Sequence, residues 1–486
     1  MSTAPLLIVL ACSTGAPEKP DPPGPPDRTD SATDTVETGP SDTAPPSDSD
    51  SPLDTGFGVP EYEQCQALWS PGPTPPRNLL VISIDTLRRD YLGAYSAEAT
   101  ASPFIDSLLA EGLVLDDHRS CSNWTYASIL CALSGRYNEE NAIFPRGGDP
   151  RPEDTQERVP EVPDSMTLMP DVYREQGFIS GLITANTFLG RTFNVGTRYD
   201  RAQNQTTPAD GVTLKTLEIA DLLLADGRPW LLHAHYIDPH SSYNPPNSYV
   251  LDALAKLPDF AYQLRSDGGL DELAGDWANL SDNERAVARQ YLDVLYEGEI
   301  RFMDDQIKRL FDALDVRGML DDTLVMIWSD HGEQFYEHGG FRHHKDLYNE
   351  ETAGLAGFWT RSADTAARWS GATTHVDLLP TALCLMGLPP YEGATGAPAG
   401  TAQPGRPRFA SVLKDSISQA SVDQHDLRLL YRWSGPRELY DRSTDPNEQN
   451  NLASERTEEL EALWALLEPM VRQADEMHTD EEATLP

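Results

Sequence analysis

Short unbroken apolar runs alternate along this chain with segments whose apolar residues recur every three or four positions. Asn78-Leu-Leu-Val-Ile-Ser-Ile84, Phe178–Thr184, Trp230–Ile237 and Thr323-Leu-Val-Met-Ile-Trp328 have the length and continuity of strands buried on both faces. Pro103 to Gly112 predicts a short helix with Ile105, Leu108 and Leu109 inward, and Thr125–Leu133 predicts a second, stopped by Gly135. Arg285–Leu314 predicts a long amphipathic helix with Tyr291, Leu295, Phe302 and Ile307 on one face. Strands alternating with helices imply an α/β fold, a mostly parallel sheet sandwiched between helices, over residues 59–400. From 401 to 475 the pattern changes. Alternation over Leu427–Trp433, then a helix from about Glu455 to Arg472, predicts a small C-terminal antiparallel subdomain, followed by an acidic tail over 476–486.

Candidate chemistry gathers where the apolar runs stop. Asp85, Asp238, His240, Asp330 and His331 each follow one. In a parallel sheet, sites form beyond the carboxyl ends of the strands. Asp85 with the Asp330-His331 pair offers oxygen and nitrogen donors for a divalent cation with an open position. Taken singly, each reads equally as a helix cap or a loop carboxylate.

Charge narrows the partners. The 486 residues carry 78 acidic and 37 basic side chains, a formal net charge of −41. Such a surface repels a nucleic-acid backbone or an anionic membrane face. Residues 13–58 read as disordered linker, because 13–56 hold 10 Pro and 10 acidic residues against only Lys19 and Arg28. Before it, the apolar run ending at Ala11-Cys12 resembles a bacterial lipoprotein signal over 1–12, so export and a lipid anchor on Cys12 are expected. No stretch reaches the ~18–20 apolar residues that span a bilayer, so the anchor would be the only membrane contact. Cys65, Cys121, Cys131 and Cys384 allow two disulfides in three pairings, or four buried thiols. No C-x-x-C element suggests a structural zinc.

Asn123-Trp-Thr-Tyr-Ala-Ser-Ile-Leu-Cys-Ala-Leu-Ser-Gly-Arg136 resembles the nucleophile segment of the sulfatase family, within the alkaline phosphatase superfamily. The run from Asn78 to Gly93 resembles the family's first metal strand. His235-Tyr-Ile-Asp-Pro-His240 with Tyr243-Asn-Pro-Pro246 resembles its histidine loop. Asp304-Asp-Gln306, Asp322-Thr-Leu-Val and Ser329-Asp-His-Gly-Glu333 resemble the second metal strand. His375-Val-Asp-Leu-Leu-Pro-Thr381, Glu438-Leu-Tyr-Asp441 and Asp445-Pro446 resemble its closing segments. The resemblance spans residues 76–455.

That resemblance implies Asp85, Asp330 and His331 as metal ligands and Thr125 at the catalytic position. Sulfatases carry Cys or Ser there, in a C/S-x-P-x-R context that is oxidised to formylglycine. Here the three positions are Thr125, Ala127 and Ile129, so that route is closed. A metal-activated threonine suits phosphoryl chemistry. Thr86 replaces a second carboxylate, which favours one zinc or manganese ion over calcium or magnesium. His240, His344 and Lys345 are expected to face the transferred group, His344 in preference to His343. Asn186 and Arg136 are expected to contact substrate. His338, His343 and Arg342 otherwise read as solvated loop residues, at least one of His233 and His235 as a core histidine, and His375 with Asp377 as the brace of a turn. The expected function is hydrolysis of a phosphate or sulfate ester, phosphoester favoured, on an anionic substrate such as a glycan or lipid headgroup. The rivals are a phosphoryl transferase acting on an envelope glycan or lipid, and a non-catalytic binding lipoprotein.

Overall fold

Four apolar runs form the middle of an eight-stranded sheet. The computed structural model describes residues 63–141, 160–204, 208–343, 346–401, 405–414, 417–433 and 435–482. The expected signal with Cys12, the linker, His344, Lys345 and the last four residues lie outside the described residues. The strands of the large sheet are β1 (Asn78–Ile84), β2 (Leu113–Arg119), β3 (Ile179–Thr184), β4 (Arg201–Asn204), β5 (Trp230–Tyr236) and β6 (Thr323–Ser329). After a small hairpin of β7 (Gln334–Phe335) and β8 (Phe341–Arg342), β9 (Ala356–Trp359) and β10 (Ala367–Thr374) complete it. The order is β10-β2-β9-β6-β1-β5-β3-β4, all parallel except β9, which runs against both neighbours.

The predicted strands are central because both their faces are covered. Leu79, Leu80, Val81 and Ile82 of β1 are fully buried, on alternate sides of the sheet. Each such side chain contributes about 1.5–3 kcal/mol relative to exposure. β2, β9 and β10 were not legible in the pattern. β2 is interrupted by Asp116 and Asp117, and β10 is an edge strand whose first four residues alternate between half-buried and exposed. The parallel register fixes the site. Ile84 of β1 pairs with Tyr236 of β5 and with Ser329 of β6, so Asp85, the β5 loop and Asp330 leave the sheet at one edge.

The long helix spans Asp282–Val316 and opens on a capping box. Glu284 N–H donates to Ser281 Oγ at 3.3 Å, and Ser281 N–H donates to Glu284 Oε2 at 2.7 Å. Asp304 on this helix accepts from the N–H groups of Phe104 and Ile105 at 2.9 and 2.8 Å. It therefore holds the start of the helix Pro103–Glu111. At the C-terminus, β11 (Arg408–Lys414), β12 (Ile417–Gln424), β13 (Leu427–Arg432) and β14 (Glu438–Asp441) form an antiparallel sheet in sequence order. The helix Thr457–Glu482 packs on its middle strands and runs past the expected end at Arg472. Cys65 pairs with Cys384 and Cys121 with Cys131, which selects one of the three pairings.

Candidate active site

Thr125 is the first residue of the helix Thr125–Ser134, which is buried along its whole length. Its Oγ1 stands 3.4 Å from Asp85 Oδ1 and 3.4 Å from His331 Nε2. His331 Nε2 lies 3.7 Å from Asp330 Oδ2 and 4.0 Å from Asp85 Oδ1. Four donor atoms from three separate chain segments thus converge. Such edges suit donors about 2–2.4 Å from a common centre.

Hydrogen bonds fix which atoms face that centre. His331 Nδ1–H donates to Gly332 O at 3.0 Å, leaving the Nε2 lone pair inward. Asp330 Oδ1 accepts from Thr86 N–H at 2.9 Å and from His331 N–H at 2.7 Å. Among the described residues its Oδ2 is buried without a hydrogen-bond partner. A buried polar atom left this way is costly unless a ligand meets it. The donor set therefore fits a divalent cation. Thr86 turns the chain with φ 55°, a left-handed conformation that a β-branched residue adopts only under constraint. The constraint is visible: Tyr296 OH donates to Thr86 O at 2.6 Å and accepts from Arg88 N–H at 2.9 Å.

The electrostatics follow from burial and proximity. Burial raises Asp85, yet His240, His235 and His331 together hold it well below the usual carboxylate range. Burial and the charge of Asp85 push Asp330 well up. Burial takes His331 down to about 4, so its imidazole is neutral. For His240, burial favours the neutral ring, but Asp85 and Glu333 raise it above its ordinary value.

His240 and His343 face one another across the mouth, ring centroids 5.0 Å apart, and His343 lies 4.5 Å from His331. The hairpin of β7 and β8 carries His343 back to the site, so it is a buried site residue rather than a solvated one. Its Nδ1 pairs with Glu333 Oε1 at 2.9 Å, while Tyr243 OH donates to Glu333 Oε2. A cavity of about 370 Å³ opens outward from the two histidines, past Leu270 and Phe341, to Asp267 and Asp271. Arg342 bridges those two carboxylates at 3.3 and 3.0 Å. A second cavity of about 480 Å³ beside Arg88 and Arg289 lies away from Thr125. There both guanidinium groups pair with Glu337 at 2.7 Å.

The two expected substrate contacts have partners or places of their own in the fold. Asn186 Nδ2 donates to Asp85 Oδ2 at 2.9 Å, and its Oδ1 caps Phe188 N–H at 3.0 Å. Both ends of its amide are engaged inside the protein. Arg136 follows the far end of the helix that Thr125 begins. Ten helical residues carry it roughly 15 Å away. His375 and Asp377 do brace a turn: His375 Nε2 donates to Ser329 O at 3.1 Å, and Asp377 Oδ2 accepts from Thr374 N–H at 2.8 Å. The sequence assigned no role to Glu333, Tyr243, Ser83 or Tyr199. Glu333 and Tyr243 carried a signal, the first by its place three residues after Asp330 and the second within the histidine-loop motif.

A model of the sulfatase family matches residues 77–388. The uncharacterized sulfatase YidJ of Escherichia coli is 28% identical over 240 residues, 46% of this chain and 47% of that protein. The chain thus aligns with about half the length of that relative. Among solved structures, an enzyme in complex with its substrate D-glucosamine-2-N,6-O-disulfate superposes with TM-score 0.63 at 15% identity. The match covers 83% of this chain and 99% of that one. The phosphonate monoester hydrolase of Agrobacterium radiobacter gives TM-score 0.61 at 17% identity over 83% and 96%. These likenesses show the fold.

Proposed function

The chain belongs to the sulfatase family, and on that footing we propose that it hydrolyses an anionic ester, a phosphoester in preference to a sulfate ester, with Thr125 as nucleophile. The observation that carries this reading is the hydroxyl of Thr125 set 3.4 Å from both Asp85 Oδ1 and His331 Nε2. A divalent ion held by Asp85, Asp330 and His331, zinc or manganese by its mixed donors, would supply Lewis acidity beside that hydroxyl and neutralise charge on the transferred group. The chain's own residues do the rest. Thr125 Oγ1, its proton lost to solvent water, attacks phosphorus in line with the leaving oxygen. The positive end of the helix that Thr125 begins faces the anion. His240, raised above its ordinary value by Asp85 and Glu333, gives its proton to the leaving oxygen. Water then attacks the phosphorus of phospho-threonine, one of its protons returning to His240, and phosphate leaves as Thr125 Oγ1 takes a proton back from solvent.

Threonine supports the phosphoester preference. Formylglycine hydrate can expel sulfate by eliminating to an aldehyde, a route closed to a sulfated threonine. The substrate we favour is an ester on a glycan or lipid headgroup outside the cytoplasm, with the enzyme tethered through Cys12. Fatty-acid labelling of the wild type but not of Cys12→Ala is the expected result, and equal labelling of both refutes the tether.

The test is turnover with zinc or manganese on aryl phosphate, bis-aryl phosphate and aryl sulfate, beside Thr125→Ala. Phosphoester turnover lost in the variant is expected. Sulfate turnover that survives Thr125→Ala overturns the proposal, and absence of both turnover and bound metal leaves a binding protein.

A further inference from the structure

His235 stands on β5, its side chain fully buried, with Nε2 3.5 Å from Asp85 Oδ2. With Asp85 and Asp330 it forms a group that has the composition of a metal site. The hydrogen bonds behind it argue otherwise. His235 Nδ1 lies 2.7 Å from Ser83 Oγ, and the same Oγ lies 2.7 Å from His233 Nε2. His233 Nδ1 in turn lies 2.9 Å from the hydroxyl of Tyr199. All four side chains are buried. They form one unbranched relay along one face of the sheet to the metal carboxylate.

The relay has only one satisfied polarity. Among the described residues, His233 Nδ1 is the sole hydrogen-bond partner of the Tyr199 hydroxyl. A buried phenol must donate its proton somewhere, and the nitrogen is the one acceptor on offer. His233 is buried with no carboxylate against it, so its ring is neutral and carries its single proton on Nε2. That proton goes to Ser83 Oγ. Ser83 has one hydrogen, which is then directed to His235 Nδ1. With Nδ1 accepting from Ser83, the ring proton of His235 sits on Nε2. The reverse polarity would place a lone pair on His235 Nε2, but it strands the Tyr199 hydrogen in the core. His331 is the contrast: its Nδ1–H is tied to a carbonyl, so it presents a lone pair.

We infer that His235 is a positioning residue whose Nε2–H is held against Asp85 Oδ2 by the relay Tyr199–His233–Ser83, and that it is not a metal ligand. Asn186 Nδ2 donates to the same oxygen. The Asn186 donor on Oδ2, with His235 Nε2 directed at the same atom from 3.5 Å, beyond a full hydrogen bond, leaves Oδ1, the atom beside Thr125, as the oxygen that meets the cation. Second-shell donors of this kind orient a ligating carboxylate and raise the affinity of the site. The inference rests on the reading of Asp85 as a metal ligand. The proton position on His235 is independent of metal and of turnover.

The test is a long-range ¹H–¹⁵N correlation spectrum of metal-free protein labelled at histidine nitrogens, with His235→Gln and His233→Gln as assignment controls. His235 protonated at Nε2 is expected, and Tyr199→Phe, which removes the donor that sets the direction, should shift it toward Nδ1. A wild-type His235 protonated at Nδ1 overturns the inference and restores the ring as a ligand. The second readout is zinc affinity by chelator competition. Ser83→Ala should weaken binding about tenfold, the lower end for a lost second-shell partner, and unchanged affinity in Ser83→Ala overturns the orienting role. Failure of zinc to bind the wild type at all refutes the metal reading of Asp85, while the proton position still decides the relay.

Discussion

Asn186 donates its side-chain N–H to Asp85 Oδ2 at 2.9 Å, across the 101 residues that separate them in sequence. The bond joins the ends of β3 and β1 and fixes the plane of the carboxylate nearest Thr125. Asn186 is therefore expected to act on the metal site through Asp85. Asn186→Leu should weaken zinc or manganese binding roughly 10–100-fold while KM for an aryl phosphate, measured at saturating metal, stays near the wild-type value. A raised KM with unchanged metal affinity would return Asn186 to substrate contact.

The two disulfides should separate stability from catalysis. Cys121–Cys131 closes a loop of sequence separation 10 around Thr125, whereas Cys65–Cys384 joins segments 319 apart. The shorter loop is worth about 2–3 kcal/mol in the chain-entropy description, and the longer one more. Cys65→Ser/Cys384→Ser should lower the melting temperature with kcat retained at 25 °C. Cys121→Ser/Cys131→Ser should lower kcat as well, because the helix start that sets the nucleophile is no longer pinned. Equal kcat in both pairs contradicts this.

His240 as proton donor makes its loss depend on the leaving group. With a poor alkoxide leaving group, His240→Asn should lower kcat/KM by roughly 10²–10⁴. With an activated phenol the loss should be far smaller, since that oxygen departs without a proton. The check is a plot of log kcat/KM against leaving-group pKa, steeper in the variant. Parallel lines would assign His240 to binding alone.

Acid should expose the Glu337 pairing. Burial raises this carboxyl, but Arg88 and Arg289, both at 2.7 Å, hold it down to about 2. Its unfolded value is about 4.5. A depressed carboxyl stabilises the fold above the unfolded value, and the contribution fades as pH falls from about 4.5 through about 2. The pair is worth about 3 kcal/mol at neutral pH on this shift. Denaturant unfolding from pH 7 to 3 should show the loss in the wild type and a flatter profile in Glu337→Gln.

Strands buried on both faces announced themselves, and with them Asp85, Asp330 and His331, because each run of apolar residues stops where the chain reaches the site. Thr125 was legible only through resemblance, since an isolated threonine before an apolar helix has many uses. β2 and β10 were hidden because charged or edge positions break their apolar pattern. The roles of Asn186 and Arg136 depend on where a turn aims an amide and how far a helix carries a guanidinium, which spacing does not encode. Glu333, Ser83 and Tyr199 act through hydrogen bonds between elements distant in sequence. Their direction emerges only when every buried proton has a partner.

The covalent step on Thr125 is most directly tested by acid-quenching turnover of an aryl phosphate and mapping the modified peptide by mass spectrometry. Phosphate on Thr125 of the wild type, absent without metal and absent in Thr125→Ala, is the expected result. An unmodified Thr125 during steady turnover, with equal turnover by Thr125→Ala, would contradict the nucleophile assignment.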